Sequence, residues 1–219
     1  LQPGDNPGPA GEIYLSWRRA VERPVSVQAL HRALPQIDAD AIAIWLDGSV
    51  PCEGRASHGA GQGAPMVRAA SVLQAVLADR PRDPASALLL ADAALAQALG
   101  WSYLMPLLAR GLKRADLRQT GDALRLACHR AIGTAIIQAT REAADLARRA
   151  ARLTEVAPKL RAKGAAEAVA LFLTRDAVAP TLLTSLRSDR AARRFCDRLV
   201  ELGAVRELTG RDTFRLYGV

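Results

Sequence analysis

The stretch SDRAARRFCDRLVELGAVRELTGRDTFRLYGV, Ser188–Val219, decides how this chain is read. In its first half Ala192, Phe195, Leu199 and Leu202 recur at spacings of three and four, which makes them the buried face of a helix over 189–202. Arg190, Arg193, Arg194, Asp197 and Arg198 fall on the other side, and Ser188 or Asp189 can accept from the free N–H groups of the first turn. Gly203 is suited to end the helix in the left-handed conformation. The second half alternates enough to form two short strands, with Val205, Leu208, Phe214, Leu216 and Tyr217 as their apolar, architectural residues and 209–212 as the turn.

Working upstream, Lys159–Gly164 is a basic hinge and the expected domain boundary. Beyond it a helix over 165–173, a break at 174–179 and a short helix near 181–186 lead into the arginine-rich helix. Three helices feeding a glycine-started extended segment have the order of a winged helix, so 164–219 is expected to form a winged-helix-like module with a small β-hairpin.

The remainder predicts a multi-helix bundle over 12–158, giving a mainly α fold. Residues 1–11 read as a strap or linker, and the glycine-rich 49–65 as a flexible surface loop. Helices are expected over 12–22, over 27–33 with Ser26 as cap, and over 39–46 with Asp38 as cap. The next two are expected over 66–78, with Val67, Ala70, Leu73 and Leu77 in register, and from Asp83-Pro84 to Leu99. That Ala/Leu-rich body has little polar surface beyond Asp92 and Gln97, which marks it as the central helix. A helix over 101–112, started or kinked at Pro106, and two longer ones over 120–137 and 140–156 complete the bundle.

The formal net charge of +8 is unevenly spread. Residues 1–109 hold 8 Lys/Arg against 10 Asp/Glu, residues 110–163 hold 13 against 5, and residues 164–219 hold 9 against 7. Such a surface attracts nucleic acid, anionic lipid or an acidic protein without choosing among them. Arg190, Arg193, Arg194, Arg198, Arg211 and Arg215 are the candidate DNA contacts, because guanidinium groups fit both phosphate oxygens and base edges. Arg125, Arg130, Arg141, Arg148, Arg152, Lys159 and Lys163 form a second, sequence-independent candidate surface.

Catalytic, metal and cofactor chemistry find little support. His31, His58 and His129 do not converge with Cys52, Cys128 or Cys196 at ligand spacing, and adjacent Cys128 and His129 point about 100° apart on a helix. The 54–63 loop lacks the lysine and frame of a nucleotide loop. No catalytic residue, metal, cofactor or small-molecule substrate is therefore expected. The odd, widely spaced cysteines predict reduced thiols in a cytoplasmic protein, no membrane partner is expected, and the start at Leu1 predicts a chain trimmed at its N-terminus.

On residues 117–130 (LRQTGDALRLACHR), 157–165 (APKLRAKGA) and the 188–219 tail, the chain resembles a bacterial family of unknown function, DUF1403, over nearly its whole length. That resemblance implies no activity. The tail alone, through Gly210-Arg211 and Leu216-Tyr217-Gly218, is similar to the closing wing of segregation and condensation protein B, with a shorter wing and no proline-containing insertion. This second likeness implies docking to a protein rather than reading of bases. The expected function is DNA binding in regulation or in plasmid or chromosome maintenance. The alternative is a scaffold that docks an acidic partner or a second copy, and an enzyme with a pocket between the bundle and the 49–65 loop is the remote third.

Overall fold

In the computed structural model, residues 8–47, 64–211 and 213–219 are described. The fold is mainly helical, with nine α-helices and one two-stranded sheet among those residues. Two units divide at Ile137/Gln138, upstream of the hinge read from sequence at 159–164.

The first unit contains α1 (Gly8–Val21), α2 (Val27–Ala33), α3 (Ala39–Asp47), α4 (Pro65–Asp79), α5 (Pro84–Ala98), α6 (Leu107–Gly111) and the start of α7 (Gly121–Val156). Helix α1 begins four residues before the expected start at Glu12, so Gly8–Gly11 are helix rather than strap. The caps fall where the sequence puts them. Ser26 Oγ accepts from Ala29 N–H at 3.2 Å and Asp83 accepts from Ser86 N–H at 3.1 Å. The expected strap at 1–7 and most of the expected 49–65 loop lie outside the described residues.

Helix α5 is the centre of this unit. Every residue from Leu89 to Ala96 is buried, and its alanines let α4 pack closely against it through Ala69, Ala70, Val72, Leu73 and Val76. The inner face of α4 is therefore turned from the expected register, leaving Val67 exposed and Leu77 half-buried. Pro106 starts α6 rather than kinking a longer helix. Residues 101–105 are non-helical, and Tyr103 pairs with Pro24 as an isolated antiparallel bridge.

Helix α7 is continuous where two helices are expected. Nothing between Ile137 and Thr140 breaks a helix: neither proline nor glycine occurs there, and every N–H can stay in the i→i−4 ladder. Leu124, Ala127, Cys128, Ala131, Ile132 and Ala135 are buried near its start, and Leu153 and Val156 near its end. Gly111 of α6 lies so close to α7 that an added Cβ would overlap the Ala131 backbone.

The second unit holds the rest of α7, α8 (Ala165–Thr174), α9 (Asp189–Glu201), β1 (Arg206–Glu207) and β2 (Tyr217–Gly218). Its core is Leu153, Val156, Phe172, Val178, Leu183, Leu186, Phe195, Cys196, Leu199 and neighbours, closed by Tyr217.

Candidate functional site

Each element of the second unit positions α9. Gly164 starts α8 at φ 86°, where Ser185 Oγ donates to its carbonyl at 2.9 Å and its backbone presses against the Ser185 carbonyl. After α8 the chain turns back, and Val178 pairs antiparallel with Tyr217 through N–H···O bonds of 2.8 and 3.0 Å in the two directions. A single 3-10 turn, Pro180–Leu182, follows, with Leu183 and Leu186 buried beyond it. Ser188 Oγ then accepts from Ala191 N–H at 3.2 Å and opens α9. Ala192, Phe195, Cys196 and Leu199 are its buried face, while Leu202 is only partly covered.

The end of α9 is a Schellman turn. Ala204 N–H donates to the Leu199 carbonyl at 3.0 Å and Gly203 N–H to the Val200 carbonyl at 2.9 Å, with Gly203 at φ 68°. The chain then enters β1, which pairs with β2 in the register Arg206↔Gly218 and Glu207↔Tyr217. Across these pairs the order is Val178, then β2, then β1. Tyr217 also ties the sheet to the helix, because its hydroxyl donates to Asp197 at 3.3 Å.

The arginines of α9 separate along the helix. Arg190, Arg193 and Arg194 in its first half are exposed, as is Arg187 in the preceding turn. Among the described residues no carboxylate lies within ion-pairing distance of these four. Residues 190, 194, 197 and 201 share a face, so the same side becomes acidic further along, at Asp197 and Glu201. Arg198 is already paired, with Glu201 at 2.9 Å.

In the hairpin, Arg211 and Arg215 are exposed, but Arg215 also braces the turn: its Nε donates to the Arg211 carbonyl at 3.1 Å. Glu207 holds the other side. Its carboxylate accepts from Thr209 N–H and Gly210 N–H, each at 2.8 Å, and from the Thr209 hydroxyl, and these bonds keep it below the usual carboxylate range, the Thr209 hydroxyl most of all. Phe214 corrects the strand reading. It is 91% exposed rather than architectural: it lies outside β2, in a bend at φ 57°, and counting back by twos from the buried Tyr217 leaves it on the outer side with the partly exposed Leu216. Arg187, Arg206 and Val178 carried no clear signal: two are single arginines outside the helix, and the third pairs with a strand far along the chain.

The second basic set is dispersed. Arg125 pairs with Asp122, Arg148 with Asp145 at 3.2 Å, Lys159 with Glu155 at 3.5 Å, and Arg152 with Glu155 at 2.8 Å. Arg152 also donates to the Leu202 carbonyl at 3.2 Å, joining α7 to the end of α9. The Arg152 hydrogen bond, ahead of charge, depresses Glu155. Arg130, Arg141 and Lys163 are exposed. Arg125 and Arg130 belong to the first unit and the others to the second.

Two features bear on an enzymatic reading. An open cleft in the first unit is lined by Val27, Ala43, Ile44, Leu46, Asp47, Arg68 and Gln97, and Arg68 spans it to the Leu46 carbonyl and, at 3.5 Å, to Gln97. The one carboxyl raised close to neutrality among the described residues is elsewhere. Asp92 of α5 is buried and pushed up to about 7 by desolvation, against three opposing hydrogen bonds from the N–H groups of Leu107, Leu108 and Ala109 at 3.2, 2.8 and 3.1 Å. Asp92 caps α6 from a neighbouring helix, the role Pro106 has no side chain to fill. Burial likewise pushes Cys128 up to about 11 and Cys196 to about 12, which suppresses thiolate chemistry. Cys52 and His58 lie outside the described residues. Among the described ones no group of three or more His, Cys, Asp or Glu is placed to hold a metal, and no helix is long and apolar enough to cross a membrane.

No curated protein and no solved structure matches this chain. One family does, described as protein of unknown function (DUF1403), and its match runs over residues 1–219. The match covers both units and every helix described above, so the chain belongs to the DUF1403 family.

Proposed function

We propose that residues 164–219, braced by the end of α7, are a winged-helix module that binds duplex DNA, with the first half of α9 entering the major groove and the 208–216 hairpin lying against the backbone. The observation that carries this reading is the group of exposed arginines Arg187, Arg190, Arg193 and Arg194, none of them paired with a described carboxylate. A helix that used its arginines for its own stability would pair them along its surface, as Arg198 does with Glu201. The order of elements supports the same reading: helix α8, an extended segment at Val178, a helical turn, α9, then two strands joined by a hairpin, with the first extended segment beside the last strand. Charge adds less: residues 164–219 hold 9 Lys/Arg against 7 Asp/Glu, and the larger excess of the second unit, 16 against 10 over residues 138–219, comes mostly from residues 138–163.

Titration of a fluorescent duplex at low salt tests the proposal. The chain binds, and Arg193→Ala with Arg194→Ala weakens binding while leaving the helical circular dichroism intact. Absence of binding, or affinity unmoved by the double substitution, overturns it.

A second reading has its own observation. Leu173, Leu182 and Val200 are exposed in the second unit, apolar surface that a protein partner would cover. Docking of an acidic protein or a second copy, with no duplex affinity, is the outcome that favours it.

A further inference from the structure

The hairpin between β1 and β2 presents a feature the DNA-binding reading does not require. Phe214 is 91% exposed, more than any other large apolar side chain described, the next being Leu126 at 57%. Its backbone holds φ 57°, a region a bulky residue rarely occupies. An aromatic ring left in water on an unfavourable backbone angle buries almost no apolar surface in the fold.

The hairpin is nevertheless firmly built. Glu207 clamps the first side of the turn through Thr209 and Gly210, Leu208 N–H donates to the Leu216 carbonyl at 2.8 Å, and Arg215 Nε ties back to the Arg211 carbonyl. At its base Tyr217 is buried and bonded to Asp197 of α9. The ring thus projects from a braced turn anchored to the proposed recognition helix.

Resting on the DNA-binding reading, we infer that Phe214 is a wedge that enters a base step from the minor groove, with Arg211 and Arg215 holding the phosphates on either side. Apolar wedges of this kind unstack a step and bend the duplex. The chemistry around the ring selects nucleic acid over an apolar protein groove. Arg206, Arg211 and Arg215 are all exposed in the hairpin, and its described carboxylate, Glu207, is turned into the turn. The narrow minor groove concentrates negative potential where arginines would sit. Flexible pyrimidine–purine steps are the ones such a wedge opens most readily.

The experiment uses the full chain and a duplex carrying 2-aminopurine at several TA steps and a donor–acceptor pair at its ends. Anisotropy reads binding, 2-aminopurine emission reads unstacking, and energy transfer reads bending. On binding, the chain raises 2-aminopurine emission and shortens the end-to-end distance. Phe214→Ala binds roughly tenfold more weakly, the scale of one base–aromatic stack, and does neither, while Phe214→Trp does both. Binding without unstacking, or unstacking retained in Phe214→Ala, overturns the wedge and leaves the DNA-binding reading standing. No binding by the unsubstituted chain overturns both.

Discussion

Asp92 makes the stability of the first unit depend on pH in an uncommon direction. Its carboxyl titrates near 3.8 when exposed and at about 7 in the fold. Between those values the folded protein keeps a proton that the unfolded chain has released, so stability falls as pH rises. The contribution is complete below about pH 4, declines by about 1.4 kcal/mol per pH unit, and is exhausted above about pH 7. The full span is roughly 4 kcal/mol, and the part between pH 5 and pH 8 is about 2.5 kcal/mol.

Asp92→Asn removes the titration while keeping an oxygen that can accept from Leu107 and Leu108. Its amide nitrogen meets the Ala109 N–H donor to donor, so the variant is weaker at low pH, where Asp92 is protonated in the fold. Asp92→Ala strands all three N–H groups and costs about 3 kcal/mol or more. Trp17, Trp45 and Trp101 all lie in the first unit, so tryptophan fluorescence during urea unfolding follows that unit alone. Glu155 and Glu207, held low, lose stability as the solution is acidified, but they are common to both proteins and cancel in the difference. The margin of the unsubstituted protein over Asp92→Asn shrinks by about 2.5 kcal/mol from pH 5 to pH 8. A margin constant across that range refutes the assignment of the burial cost to Asp92.

Gly164 and Gly203 both hold positive φ, but an added Cβ meets the Ser185 carbonyl at Gly164 and open space at Gly203. Gly203→Ala should cost about 1 kcal/mol, the left-handed penalty alone, and Gly164→Ala at least twice that, with thermal unfolding as the measure and equal losses as the contradicting result. In a Cys52→Ser background, Cys128 and Cys196 should resist a thiol reagent at pH 7 until denaturant is added, since thiols held up to about 11 and 12 carry almost no thiolate. Labelling of the native protein within minutes would contradict the burial of either.

Much of the fold was legible because it is written locally. Ser26, Asp83 and Ser188 announce helix starts by side-chain chemistry that acts within three residues, and Gly203 announces an end the same way. The central place of α5 followed from its near-total lack of polar residues. What escaped depends on partners distant in sequence. Asp92 reads as surface until α6 comes to sit on it, 15 to 17 residues further along. Val178 becomes extended structure only by pairing with Tyr217. Phe214 is apolar and so reads as part of a strand, but β2 is confined to Tyr217–Gly218 and the residue falls in the bend before it. The arginines of α9 were legible as exposed, but which of them are unpaired was not, because that turns on the rotamers of Glu201 and Asp197.

The most direct measurement of the central claim is the salt dependence of duplex affinity for the unsubstituted chain and for Arg193→Ala with Arg194→Ala. If both arginines neutralise phosphates, log K falls linearly with log salt, and the double variant's slope is shallower by about 1.8, at roughly 0.9 for each phosphate left without its arginine. Identical slopes, or an affinity indifferent to salt, would contradict the claim that α9 binds DNA through these two side chains.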